Sequence, residues 1–175
     1  YNMLVLPTQI QTGEYVDIRL SLPSGQDYIV VSKKQVEIPQ INGVDSEDTI
    51  WVKLTEDEII TMNSAIVDAY KSIGSTLKVV TYTEAGMQDA ATPTYVPTGD
   101  VMQLINSDPN IVQKAKNALV QRYNSTQDNV RTPINSAINS SGEDGQENLK
   151  TKVEESATSS KDNRKKYLDS LGGDY

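Results

Sequence analysis

Three carboxylates in succession, Glu56, Asp57 and Glu58, are the densest group of chemistry-bearing side chains in this sequence. Clustered carboxylates can hold a divalent cation, or divide acid and base work when their surroundings separate their pKa values. The residue before them points to a simpler role. Thr55-Glu56-Asp57-Glu58 has the form of a capping box, in which a hydroxyl and a carboxylate satisfy free amides at a helix start. Acidic residues there also suit the positive end of the helix dipole. Capping accounts for all three.

Other chemistry is scarce. The chain has no Cys and no His. That removes thiolate nucleophiles, disulfides, Cys/His zinc sites and any Ser-His-Asp triad. No phosphate-cradling glycine motif of the Walker or dinucleotide type is present. A Ser-Lys dyad or a carboxylate pair remains formally open, but no pair sits in a context that would raise a pKa. No catalytic residue, metal ligand or cofactor site is assigned, and the expectation is a structural or binding role.

The remaining polar candidates belong to a surface. Asp17 and Arg19 lie two apart in an alternating strand, on the face opposite Val16, Ile18, Leu20 and Leu22. With Tyr15 and the pair Lys33-Lys34 they form a candidate docking surface on the solvent side of a sheet. Same-face charged pairs are also ordinary on a half-exposed sheet, and lysines after an apolar strand protect an edge. Trp51, the only tryptophan, is expected in the core. The nine tyrosines, set against no phenylalanine, favour protein or glycan contacts where exposed. Tyr15, Tyr28 and Tyr82 lie in strands, so some belong to the core. Lys161 and Arg164-Lys165-Lys166 form a small basic run, read as solvated or as a contact for an acidic wall polymer.

The elements that carry these residues follow from periodicity. Met3 to Leu6 reads as a short strand before Pro7. Glu14–Leu22 alternates, Pro23-Ser24-Gly25 turns, and Tyr28–Val31 answers it: a hairpin. Gln35–Ile38 is a further short strand, Ile41–Asp48 with Asn42-Gly43 a loop, and Ile50–Leu54 another strand. Ile59, Met62, Ile66, Ala69, Tyr70 and Ile73 then recur at helical spacing until Gly74, and Thr76–Thr83 returns to strand. A connector from Glu84 to Thr98, a short helix over 99–105, and a helix opened by Asp108-Pro109 with the stripe Ile111, Val112, Ala115, Leu119 and Tyr123 complete this part. The fold class is α+β: an antiparallel, hairpin-rich sheet with a strand–helix–strand module, then a C-terminal helix and a polar tail.

Composition shifts past Tyr123. Only seven of the 51 residues from Ser125 to Tyr175 are Leu, Ile, Val or Phe. Taken alone, such a segment buries too little apolar area to offset its ordering entropy. Ile134 with Ile138, and Leu149 with Val153, sit one helical turn apart, and Tyr167, Leu168 and Leu171 form a weak apolar group. Residues 124–175 are expected to be a flexible polar tail with marginal helices. The net charge of the 175 residues is −8, which disfavours nucleic acid and anionic lipid surfaces as partners. No apolar run reaches the length of a membrane span.

These segments together resemble the SAF-domain proteins of the Flp pilus assembly group, the CpaB/RcpC type, in the version found in Gram-positive bacteria. The resemblance rests on Leu6-Pro7, on Gly13-Glu14-Tyr15-Val16-Asp17-Ile18-Arg19-Leu20, on Leu22-Pro23-Ser24-Gly25, and on Asp27 to Lys34. Ile50–Leu54, the capping box and the helix to Gly74 resemble the family's strand–helix–strand module. Gly-acidic-x-Val-Asp phrases also occur in flagellar P-ring chaperones and other β-clip proteins. The Arg- and Gly-containing segment that precedes the Asn-Met-Leu-Val-Leu-Pro phrase in a typical SAF domain is not in this sequence.

The resemblance implies one domain over residues 1–123, with a partial β-clip in 1–38. It implies an extracytoplasmic, non-enzymatic assembly or scaffold module of a pilus or surface secretion apparatus. Its partners would be other assembly proteins and peptidoglycan. Gram-negative relatives act with an outer-membrane secretin, which a Gram-positive version would lack. The chain opens on Tyr1 rather than Met, in a strand-like segment, and is expected to be a fragment. Its only membrane contact would be an N-terminal helix outside the sequence. A peptidoglycan- or sugar-binding β-clip module is the alternative.

Overall fold

A computed structural model describes residues 4–41, 43–46 and 49–171. Among the described residues, seven strands and three helices run in the order β1 (Leu4–Val5), β2 (Tyr15–Ser21), β3 (Asp27–Glu37), β4 (Gln40–Ile41), β5 (Val44–Asp45), β6 (Trp51–Val52), α1 (Glu56–Lys71), β7 (Thr76–Thr81), α2 (Gly99–Ser107) and α3 (Gln113–Leu171). The main sheet has the order β1-β7-β2-β3-β6. Only β1 and β7 pair in parallel; the other neighbours are antiparallel. The α+β class holds, and so does the strand–helix–strand unit, formed by β6, α1 and β7.

The alternating run makes the central strand. Val16, Ile18 and Leu20 of β2 are buried with Val30, Val31 and Val36 of β3, Leu77 and Val79 of β7, and Met62, Ala65, Ile66, Ala69 and Tyr70 of α1. The helix starts at its capping box: Glu58 accepts the Thr55 N–H at 2.9 Å. Burying the α1 stripe on one sheet face, rather than helix propensity, is what stabilises a helix of this length.

Several boundaries differ from the periodicity. Gln35–Ile38 is not a separate strand, because β3 continues to Glu37 through two register shifts against β2. Lys33, at φ +48°, sits at the second, and such bulges let one strand bend and twist without ending. Part of the expected 41–48 loop is the small β4–β5 hairpin. Met3, Asn42, Glu47 and Asp48 lie outside the described residues, as do the side chains of Arg164, Tyr167, Leu168 and Leu171. Asp108-Pro109 does not open a helix. It closes α2, where Asp108 is the C-cap and its carboxylate accepts the Asn110 N–H at 2.8 Å; α3 begins at Gln113. Ile111 and Leu119 still bury their side chains, against Met102 and Ile105, while Val112 is exposed.

The largest difference lies beyond Tyr123. The structure draws no boundary there: α3 continues to Leu171, interrupted at Gly142, whose φ of +53° and ψ of −137° are not helical. Ile134 is 0 % exposed and Val130 7 %, both within the main core. A low apolar content forbids order only in a segment that must fold alone. Here a few residues insert into a core already built by the sheet and α1. Past Gly142, Gly145 lies against the end of α1. A Cβ there would come within 2.3 Å of the Lys71 carbonyl oxygen, so only glycine permits this approach.

Ile134→Ala is expected to destabilise the protein by about 2–4 kcal/mol in urea unfolding. A chain ending at residue 123 should lose most of its cooperative transition. An unchanged midpoint in both would place α3 outside the core.

Candidate functional site

The five docking candidates are largely engaged within the fold. Asp17 is 5 % exposed rather than on an open sheet surface. The shifts in β3 turn the Lys33 N–H toward the Asp17 carboxylate, which accepts it at 3.0 Å and also accepts the Tyr82 hydroxyl at 2.8 Å. Tyr82 in turn meets the Ser32 hydroxyl at 2.9 Å and accepts the Ala91 N–H at 3.2 Å. The connector after β7 therefore folds over this point, which the alternation pattern of β2 alone does not reveal. Arg19 lies 3.7 Å from Asp17 and 3.9 Å from Asp27, and Asp27 also pairs with Lys78. The Lys33 ammonium donates to the Gln88 carbonyl at 2.5 Å and stands 5.9 Å from the Tyr15 ring centre. Lys34 pairs with Glu58 at 2.6 Å, joining β3 to the first turn of α1.

Trp51 is 57 % exposed, not core. It occupies a two-residue edge strand, opposite the exposed Glu37, with no further strand outside it to bury the ring. Among the described residues, no group of three or more acidic side chains is arranged to hold a metal ion.

The residues that sequence reasoning passed over are Asp68 and Arg131. Arg131 donates to both carboxylate oxygens of Asp68, one a short contact and the other at 3.4 Å, to the Val96 carbonyl at 3.2 Å and to Asn135 Oδ1 at 2.7 Å. Tyr95 donates to the same carboxylate at 2.6 Å and meets the Ser64 hydroxyl at 2.9 Å. The side chains of Arg131 and Asp68 are 9 % and 3 % exposed. This cluster joins α1, the connector before α2, and α3. Burial opposes the Arg131 charge, but hydrogen bonding to Asp68 and its negative charge outweigh that and raise its pKa. Tyr95 is pushed well above its ordinary 10.0, first by burial and then by the charge and hydrogen bond of Asp68; Ser64 and Arg131 pull weakly the other way. The Asp68 carboxylate takes three of these bonds, and its side chain is only 3 % exposed. The arrangement locks three segments of the chain together.

A faint sequence signal for it existed. Thr61, Ser64 and Asp68 form a polar stripe at helical spacing beside the apolar one, and all three are buried. Beside the lock, a polar cavity of about 250 Å³ is lined by Thr98, Gly99, Tyr123, Gln127, Asp128, Arg131, Thr132 and Asn135.

A larger feature lies on the far side of α1. A groove of about 850 Å³ has an apolar floor of Leu4, Leu6, Ile50, Ile66, Val67 and Tyr70. Its other wall is α3 beyond Gly142, which presents Leu149, Lys152 and Val153 and then Ser156, Ser159, Ser160 and Asn163. Asn148 anchors that wall by donating to the Tyr70 carbonyl at 2.7 Å. Hydroxyls and an amide facing an apolar floor do not close it, so the groove stays open.

No family model, curated protein or solved structure matches this chain. The resemblance to the pilus-assembly family therefore rests on the quoted residues alone.

Arg131→Met or Asp68→Leu alone leaves one buried charge unpaired and is expected to cost about 3–5 kcal/mol. The double variant should cost clearly less than the sum, in a cycle read by urea unfolding; additive losses would show that the two residues do not act as a pair. Alkali tests Tyr95. Its unfolded form releases a proton near 10.0 while the folded form holds it, so stability present below that pH is lost as pH rises above it. Above about pH 10, Tyr95→Phe should flatten the decline in unfolding midpoint; an unaltered slope would mean that Tyr95 does not carry it.

Proposed function

We propose that the chain is a non-enzymatic docking module of a surface assembly, of the Flp or type IV-like pilus or secretion kind. It would act outside the cytoplasm and be tethered through a membrane helix of the parent protein. The tether and the pilus setting come from the resemblance. The docking role is supported by one observation above others: the open groove beside α1. Clefts of this volume with apolar walls and a few polar groups are the usual place where proteins receive a partner segment or ligand. The polar clusters supply the contrast, since Asp68, Arg131, Tyr95 and Asp17 are committed to holding the fold.

Among the described residues, no helix is long and apolar enough to cross a membrane. The alternative, a peptidoglycan- or sugar-binding module, draws support from the polar cavity. Gln127, Asp128, Thr132 and Asn135 beside Tyr123 are side chains suited to hydroxyl and amide groups of a sugar.

Immobilised protein incubated with envelope extract of a piliated Gram-positive bacterium should retain surface-assembly proteins, and Val67→Asp should abolish retention. Recovery of cytosolic proteins alone would contradict the docking role. Saturable co-sedimentation with purified peptidoglycan, lost in Asn135→Ala but kept in Val67→Asp, would favour the alternative.

A further inference from the structure

We infer that α3 beyond Gly142 is a strap that swings off α1 as a unit and sets how much of the groove's apolar floor is accessible. Its use as a gate rests on the docking reading; the motion does not. The break makes the motion separable. Gly142, with φ +53° and ψ −137°, interrupts the helix, so the segments on its two sides can open independently. Before the break, Val130 and Ile134 are buried in the main core. After it, among the described residues, Leu149 is the apolar side chain packed against that core, and it is only partly buried.

The hold on the strap is slight and confined to its base. Gly145 rests on the Lys71 carbonyl, and Asn148 donates to the Tyr70 carbonyl at 2.7 Å. Val153, one turn further on, is already 55 % exposed. From Glu154 onward, the hydrogen bonds and ion pairs of the described residues run within the helix, as between Lys152 and Glu155 and from the Thr158 hydroxyl to the Glu154 carbonyl. Ser156, Ser159, Ser160 and Asn163 face the floor across about 850 Å³ of open space, and hydroxyls gain nothing from an apolar surface. One side-chain hydrogen bond and one half-buried leucine put the lifted state within about a hundredfold of the docked one. Once lifted, the strap can stay helical. Glu143, Asp144 and Glu147 stand near its start, while Lys161, Arg164, Lys165 and Lys166 outnumber Asp162 and Asp169 near its end, the arrangement that suits a helix dipole. Lifting removes one wall from Leu4, Leu6, Ile50, Ile66 and Val67. The Asp68–Arg131 pair, Val130 and Ile134 all precede the break and stay in place.

Two variants of the full chain move the strap in opposite directions. Asn148→Ala loosens its base, and Ser156→Leu with Ser160→Leu gives the apolar floor a matching wall. Native-state hydrogen exchange of residues 143–163 should quicken about three- to tenfold in the first and slow in the second, with residues 126–138 unchanged in both. The fluorescence of anilinonaphthalene sulfonate, a dye that reports accessible apolar surface, should rise in the first and fall in the second. Exchange of 143–163 that tracks 126–138 in every chain, or dye fluorescence indifferent to both variants, overturns the inference. Retention of surface-assembly proteins from envelope extract separates the gate from the docking reading. Retention that rises with Asn148→Ala and falls with the leucine pair supports the gate. Equal retention by all three chains overturns the gate and leaves the docking role standing. No retention by any chain removes the docking role and the gate with it, while the exchange result still decides the motion.

Discussion

The structure depends on one constraint: Asp68 and Arg131 must meet. Each is a charge removed from water, and neither is tolerable there alone. The two residues are far apart in sequence, one inside α1 and the other in α3. Their pairing obliges α3 to cross the molecule over α1, with the Tyr95-Val96 segment held between them. Replacing such a pair by apolar residues of similar size is often neutral for stability. What the pair supplies here is a fixed contact between α1 and α3, with the Tyr95-Val96 segment hydrogen-bonded to both.

Much else follows from that arrangement. With Tyr95 fixed to Asp68, the connector runs beside the open edge of β3, where the Thr94 and Tyr95 N–H groups both donate to the Ile29 carbonyl at 2.9 Å. At Ile29 the edge left uncovered by the short β6 is thereby satisfied. With Val130 and Ile134 buried, α3 reaches the far end of α1 as it breaks at Gly142. There the Ser141 hydroxyl accepts the Ile73 N–H at 2.9 Å and Asn148 takes the Tyr70 carbonyl. Groups at the end of α1 that would otherwise be left unpaired are closed by another helix rather than by water. Beyond this anchor α3 turns polar toward α1, and the groove is the space that remains.

The hairpin, the capping box, the α1 stripe and the return to strand were legible because each is a local pattern with its own period or its own caps. What escaped depends on distant partners. Asp17 looked solvent-facing because alternation tells which side of a strand a residue takes, not whether a later connector will cover it. Trp51 looked like core because side-chain type says nothing of where a sheet ends. Arg131 sat in a stretch whose composition suggested a tail; composition counts apolar residues, whereas the fold needed only a few of them at the right turns of one helix. The groove could not be foreseen, since it arises from the placement of α3 rather than from any motif. Of the candidate surface, Tyr15, Arg19, Lys33 and Lys34 serve mainly to hold β2, β3, the connector and α1 together.

The central claim is that the first half of α3 is part of the core through Asp68 and Arg131, while its second half is a wall of the groove beside α1. Native-state hydrogen exchange resolves the two directly. The amides of residues 126–138 should exchange as slowly as those of β2, through global unfolding, with residues 150–163 exchanging faster through local opening. Fast exchange across 126–138 alongside a protected β2 would contradict the account.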